Sequence, residues 1–211
     1  MLRAVALIGL VLVVLAGPAR VAAQEETGDA GYSLAQSLIV DVDGFWGGTF
    51  ALGGWAYSAP TVVPFGGTIS SVCGVLDASW GPGFYCPPEG TIYLSTLYAD
   101  ALLAAGDDFA WTTIVAHEWA HHVQVLLGIP YGGVGSELQA DCLAGAYTQD
   151  AAARGVLDAN DVNEAYRLSA LSGDANWLPQ DAPGAHGSGG DRLGAFLNGY
   201  QGGVAGCGIA V

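Results

Sequence analysis

His117-Glu118-Trp119-Ala120-His121 places two imidazoles four residues apart, with a carboxylate beside the first. On a helix, residues four apart lie within about 40° of each other around the axis, so both histidines project from one face, one turn apart. That is the spacing two metal ligands need. Glu118 falls about 100° to one side, where it can take a proton from a metal-bound water without occupying the metal. Catalytic zinc takes three protein ligands and keeps a fourth position for water. The longer three-histidine pattern would need Gly and His at positions 124 and 127, and the chain has Gln124 and Leu127. The next candidates are Glu137 and Asp141 in Glu137-Leu138-Gln139-Ala140-Asp141, two carboxylates one helical turn apart. Glu137 fits as third ligand. Asp141, a turn deeper, fits as acceptor for the distal N–H of a histidine, expected to be His117, which would fix its tautomer.

The residues around the first motif are apolar: Trp111, Ile114, Val115, Ala116, Val123, Val125 and Leu126. Two histidines and a glutamate in such a helix are costly to bury without a partner, and Zn2+ supplies one. His122 turns about 100° away from the ligand face and is read as structural. His186 sits in the loop Ala185-His186-Gly187-Ser188. Position alone leaves two roles open for it, donor to a developing oxyanion or ordinary exposed loop residue.

These residues need elements to hold them. Leu34, Leu38, Val42, Phe45, Trp46 and Phe50 recur at helical spacing over 33–53, although Gly44, Gly47 and Gly48 weaken the pattern. The runs 61–65 and 91–95 are β-branched or aromatic and fenced by Gly and Pro, which predicts strands on either side of a turn-rich 73–86 segment. Helices follow: 97–105; 109–127, with Asp107-Asp108 as N-caps and a stop at Gly128-Ile129-Pro130; 137–153, capped by Ser136; 161–171; and 191–200. Residues 172–190, rich in Gly, Pro and Asp, predict an ordered surface loop. The expected class is α+β, mostly helical, with a small sheet preceding the histidine helix.

At 211 residues and 52% hydrophobic, the chain can enclose one catalytic-sized core. An apolar stretch at 4–16, then Gly17-Pro18 and Val21-Ala22-Ala23, reads as a secretory signal peptide, too short for a membrane span. The expected division is a signal peptide at 1–23, a flexible acidic lead-in at 24–35 and a single zinc-site domain at 36–211. Retention of the first segment as an anchor is the alternative. Export to the extracellular or periplasmic space leaves no membrane association after cleavage. The formal charge is −15 and all five basic residues are arginine. Such a chain would repel nucleic acid and anionic lipid, whose binding depends on basic side chains. Four cysteines in an exported chain predict two disulfides. Of the three possible connectivities, Cys73–Cys86 closes a short local loop and leaves Cys142–Cys207.

The stretches His117-Glu118-Trp119-Ala120-His121-His122-Val123-Gln124 and Glu137-Leu138-Gln139-Ala140-Asp141-Cys142-Leu143-Ala144-Gly145 resemble the paired motifs of the bacterial “putative neutral zinc metallopeptidase” family. The similarity extends to Gly83-Phe84-Tyr85-Cys86-Pro87, to Gly106-Asp107-Asp108-Phe109-Ala110 and to His186-Gly187-Ser188. The resemblance implies a zincin-like fold, zinc on His117, His121 and Glu137, Glu118 as base, and a functional role for His186. Ala120 stands where the family usually has glycine. On this reading the partner is a peptide or protein substrate, hydrolysed by an activated water, with the strand 91–95 as the edge to which an extended substrate adds. Two rivals are a zinc hydrolase acting on another amide, such as cell-wall material, and a non-catalytic secreted module whose zinc is closed off by a fourth protein ligand.

Overall fold

A computed structural model of the chain describes residues 30–210 apart from 176, 177, 180 and 183, with side chains from residue 37 onward. The expected signal peptide and the first part of the lead-in lie outside the described residues. Helix α1 (Ala30–Gly53) begins inside the expected lead-in and carries through its glycines, because Val42, Trp46 and Phe50 form one fully buried stripe at four-residue spacing.

Strands β1 (Thr61–Phe65), β4 (Gly83–Cys86) and β5 (Thr91–Ser95) make a three-stranded sheet in the order β1-β5-β4. β1 is parallel to β5 and β4 antiparallel to it. Pro64 is tolerated because β1 is an edge strand, where a missing N–H breaks no ladder. The expectation that 91–95 offers a free edge is therefore overturned: β5 is the central strand, paired on both sides. The free edge next to the helices belongs to β4. The 73–86 segment also holds more order than its turn residues suggest. β2 (Thr68–Ser71) and β3 (Gly74–Asp77) form an antiparallel hairpin, tethered by the Cys73–Cys86 disulfide and by Glu89, whose carboxylate accepts from the Val72 N–H and the Tyr93 hydroxyl, both at 2.6 Å.

After the sheet come α2 (Thr96–Ala105), α3 (Asp108–Leu126), α4 (Val134–Ala153), α5 (Asp161–Leu171) and α6 (Gly189–Gly206). The molecule is a mixed α+β fold with its small sheet ahead of the helical layer. α3 is the central helix, contacted by α1, α2, α4, α5 and β4, and buried over nearly its whole length. Two expected caps are replaced. Asp107 makes no side-chain capping bond; the Phe109 N–H instead donates to Glu164 Oε2 of α5 at 2.9 Å, which anchors α5 at the start of α3. Ser136 lies inside α4, which starts earlier, at Val134 after Gly133. α4 and α6 cross backbone to backbone, since a Cβ on Gly145 or Gly199 would collide with the opposing Phe196 or Cys142 carbonyl. The Cys142–Cys207 disulfide closes this crossing. Among the described residues, no helix is long and apolar enough to cross a membrane.

Candidate metal centre

On α3, His117 and His121 turn the same face toward α4, which presents Glu137 one turn into the helix. Glu137 Oε2 lies 3.2 Å from His117 Nε2, and Glu137 Oε1 lies 3.4 Å from His121 Nε2. The three ligand atoms sit within 4.8 Å of one another, and among the described residues no fourth His, Cys, Asp or Glu joins them.

Whether this trio suits a cation is decided by the other side of each ring. His117 Nδ1 stands 2.9 Å from Asp141 Oδ1, a carboxylate that can only accept, so this nitrogen carries a proton. Asp141 is held in turn by Arg192, whose Nε and Nη2 donate to its two oxygens at 2.8 Å each, while Nη1 donates to the Ser172 carbonyl. His121 Nδ1 lies 2.9 Å from Gln124 Oε1. That amide cannot be reversed, because its Nε2 donates to the Ser136 carbonyl at 2.8 Å and to Gln139 Oε1 at 3.1 Å, and its Oε1 accepts from Ser136 Oγ. Both Nδ1 atoms are thus donors, which leaves each Nε2 as the ring atom that can offer a lone pair to the space beside Glu137. Two lone pairs and a carboxylate converging on one point repel unless a cation lies among them, and the donor set is one zinc accepts.

Without metal, a proton takes that place. Burial opposes charge on His117, but Asp141 and Glu137 outweigh it and raise its pKa to about 10. Burial likewise opposes charge on Glu137, and the two histidines facing it hold it well below the carboxylate range. For Glu118 burial is the leading influence and pushes its pKa up, partly offset by the histidines, which is the direction a general base requires.

Glu118 and the trio line one cleft of about 650 Å³, roofed by β4 and continued by α2, α5 and the His186 loop. Two larger depressions, beside the Cys142–Cys207 bridge and between α1 and α4, contain no histidine. β4 passes so close to the base that a Cβ on Gly83 would lie 2.6 Å from Glu118 Cγ. The ladder alternates: Pro82 O accepts from Ser95 N in β5, whereas Tyr85 O receives the Tyr131 hydroxyl from the other side. By that alternation the backbone groups of Gly83 and Tyr85 face away from β5, toward the cleft.

His186 lines the cleft, with its side chain about half exposed, but is not among the clustered ligand atoms. Asp174 organises its loop, accepting from the backbone N–H of His186 at 2.6 Å and of Gly187 at 2.8 Å. His122 points elsewhere: its Nδ1 is 3.0 Å from the Tyr85 hydroxyl and its Nε2 is 2.8 Å from the Ser58 carbonyl, fastening β4 and the loop between α1 and β1 to α3. Sequence reasoning assigned no site role to Gln124, Arg192, Asp174, Gly83 or Tyr131, although Gln124 and Gly83 stand in the stretches that resemble the family. For Gln124 a signal existed, since it lies three residues after His121 on the same helix; the others meet the site only through tertiary contacts.

The family profile described as “Putative neutral zinc metallopeptidase” matches residues 14–132 and 130–208. “Uncharacterized protein YpfJ” of Escherichia coli (strain K12) is 32% identical over 192 residues, covering 79% of this chain and 66% of the relative. “Uncharacterized protein Rv2575” of Mycobacterium tuberculosis and “Uncharacterized protein Mb2605” of Mycobacterium bovis are each 34% identical over 177 residues, covering 69% of this chain and 60% of theirs. The chain thus spans about two thirds or less of the length of these relatives. No solved structure matches it significantly. With the profile running across both helices that bear the ligand trio and on through the disulfide-closed C-terminal helix, the chain belongs to the family described as “Putative neutral zinc metallopeptidase”, and the metal that family implies is zinc.

Proposed function

We propose that the protein is a secreted zinc endopeptidase in which His117, His121 and Glu137 hold the metal and Glu118 is the general base. The observation that carries the proposal is the open ligand set: three converging donors with fixed tautomers, no fourth ligand among the described residues, and a buried carboxylate next to them under a cleft. A non-catalytic zinc module would call for a closed set. When bound there, zinc supplies Lewis acidity and lowers the pKa of water toward about 7. Glu118 then accepts a proton and returns it to the leaving amine, within reach because Gly83 leaves room for its carboxylate. His186, at the cleft wall on a loop shaped by Asp174, donates to the oxyanion. Asp141 and Gln124 keep the two ligand imidazoles oriented.

A peptide substrate is favoured over other amides by the free edge of β4, where the outward backbone groups of Gly83 and the outward N–H of Tyr85 can pair with an extended chain directly over Glu118. The apolar segment at 4–16 and the two disulfides support export. The test is hydrolysis of a quenched-fluorescence peptide library by zinc-loaded protein, by chelated protein and by Glu118→Gln. Activity should vanish with chelator and return with zinc. Glu118→Gln should keep its zinc and lose roughly 10²–10⁴-fold in rate. Undiminished hydrolysis by Glu118→Gln would remove the base assignment.

A further inference from the structure

We infer that the arm of the cleft on the N-terminal side of His117 is a binding subsite for a large apolar side chain of the substrate, aromatic or branched aliphatic. The inference rests on the peptidase reading above and names the substrate class of the same site. Ile114 lies one helical turn before Glu118 and floors this arm. α2 turns into α3 at Gly106, which brings Leu102 against the first turns of α3; α5 is pinned to the same end by Glu164, which brings Leu168 alongside. Tyr98, Phe84 and Trp80 complete the rim. Trp80 is 66% exposed and Tyr98 36% exposed, while Leu102 and Leu168 stay only partly covered. Apolar surface left open beside a cleft marks a binding region.

The three aliphatic hydroxyls in this arm are already used. Thr113 Oγ1 donates to the Phe109 carbonyl at 2.9 Å, Ser169 Oγ to that of Ala165 at 2.9 Å and Ser172 Oγ to that of Leu168 at 2.8 Å. The acidic and basic side chains lining the cleft, Glu118, Glu137, Asp141, Arg192 and the histidines, belong to the metal centre and its support, and the Arg192 donors are spent on Asp141 and Ser172. A charged side chain entering the arm would shed its hydration and meet no partner, whereas an apolar one gains by burial. The arm is continuous with the β4 edge, so a chain paired along Gly83 to Tyr85 can deliver one residue into it.

The test uses one peptide series with a single varied residue (Phe, Leu, Gly, Asp or Lys) in a Ser/Ala host. Binding to zinc-loaded Glu118→Gln protein is followed by calorimetry and hydrolysis by the unaltered protein by mass spectrometry. Phe and Leu should exceed Gly by roughly tenfold to a hundredfold in both measures, with Asp below Gly. Leu102→Asp, or Leu168→Asp if the first fails to fold, should lower the Phe preference at least tenfold and raise Lys, with zinc content unchanged. A flat profile, or a Phe preference that survives in a folded variant, overturns the subsite. Hydrolysis with a flat profile would sink the subsite and leave the peptidase reading standing. Phe-selective binding without hydrolysis would do the reverse.

Discussion

Gln124→Leu separates what holds the fold from what holds the metal. Gln124 is fully buried and takes part in four hydrogen bonds: Oε1 accepts from His121 Nδ1 and Ser136 Oγ, and Nε2 donates to the Ser136 carbonyl and Gln139 Oε1. Leucine fills a similar volume but makes none. Each such bond contributes about 0.5–1.5 kcal/mol net, and Ser136 is left buried with a carbonyl and a hydroxyl short of partners, so a loss of about 2–5 kcal/mol is expected. For a domain of this size that lowers Tm by roughly 5–15 °C. The metal effect is distinct. His121 loses the acceptor that fixes its tautomer, and loss of such a partner typically costs 10–100-fold in metal affinity. Gln124→Glu is the control: it keeps an acceptor for His121 but sets a carboxylate oxygen against the Ser136 carbonyl and Gln139 Oε1. It should lose comparable stability and retain zinc. Calorimetric melting of the metal-free proteins and zinc competition against a chromogenic chelator read the two effects separately. If both variants keep zinc as tightly as the parent, or lose it equally, Gln124 is a packing residue and the tautomer argument fails.

Two further outcomes follow from the same geometry. In Gly83→Ala the new methyl displaces Glu118, so kcat should fall roughly tenfold to a hundredfold while zinc content and melting stay close to the parent; a parent-like kcat would mean that the base does not need the room Gly83 leaves. Zinc binding at pH 7 should release about one proton from His117, seen as a binding enthalpy that varies with the ionisation heat of the buffer. The sign is set by the raised pKa. The metal-free protein gains stability from protonated His117 that is complete below its unfolded value of about 6.5 and is lost as pH rises through about 10, and zinc affinity climbs over the same range. Buffer-independent enthalpy would exclude the proton as the metal's stand-in.

How far the site is legible in the sequence follows from which contacts run along the chain and which across it. The 3.6-residue period joins His117 to His121 and Glu137 to Asp141 within single helices, so their common faces follow from residue spacing alone. β1 and β5 are equally visible, because Thr, Val, Ile and Tyr between turn residues form a local signal. Their order in the sheet is not. β5 comes last in the chain, yet it lies between β1 and β4, and this nonlocal pairing is what gives the cleft-side edge to β4. Caps fail for a related reason. Asp107 and Ser136 have the right chemistry at the right positions, but the Phe109 N–H finds a buried carboxylate 55 residues away and the Ser136 hydroxyl finds Gln124. Tertiary partners that are already desolvated outcompete a local side chain facing water.

The same competition explains why α3, an apolar helix, can carry four ionisable side chains through the core. Their neighbours lie on just two elements, α4 and β4: His117 meets α4 through Asp141, Glu118 packs against β4 at Gly83, His121 meets α4 through Glu137, and His122 meets β4 through Tyr85. Removing any one of these elements would leave a buried polar group unsatisfied, which costs more than the contact itself returns. The metal centre is therefore tied to the packing of α4 and β4 against α3, and the disulfides Cys142–Cys207 and Cys73–Cys86 fasten those two elements one residue from Asp141 and Tyr85. Reduction should loosen zinc before it unfolds the core, with zinc release from the reduced protein preceding loss of far-UV helix signal on titration with urea. Simultaneous loss of metal and helix would show that the disulfides stabilise the fold as a whole and not the placement of the ligands.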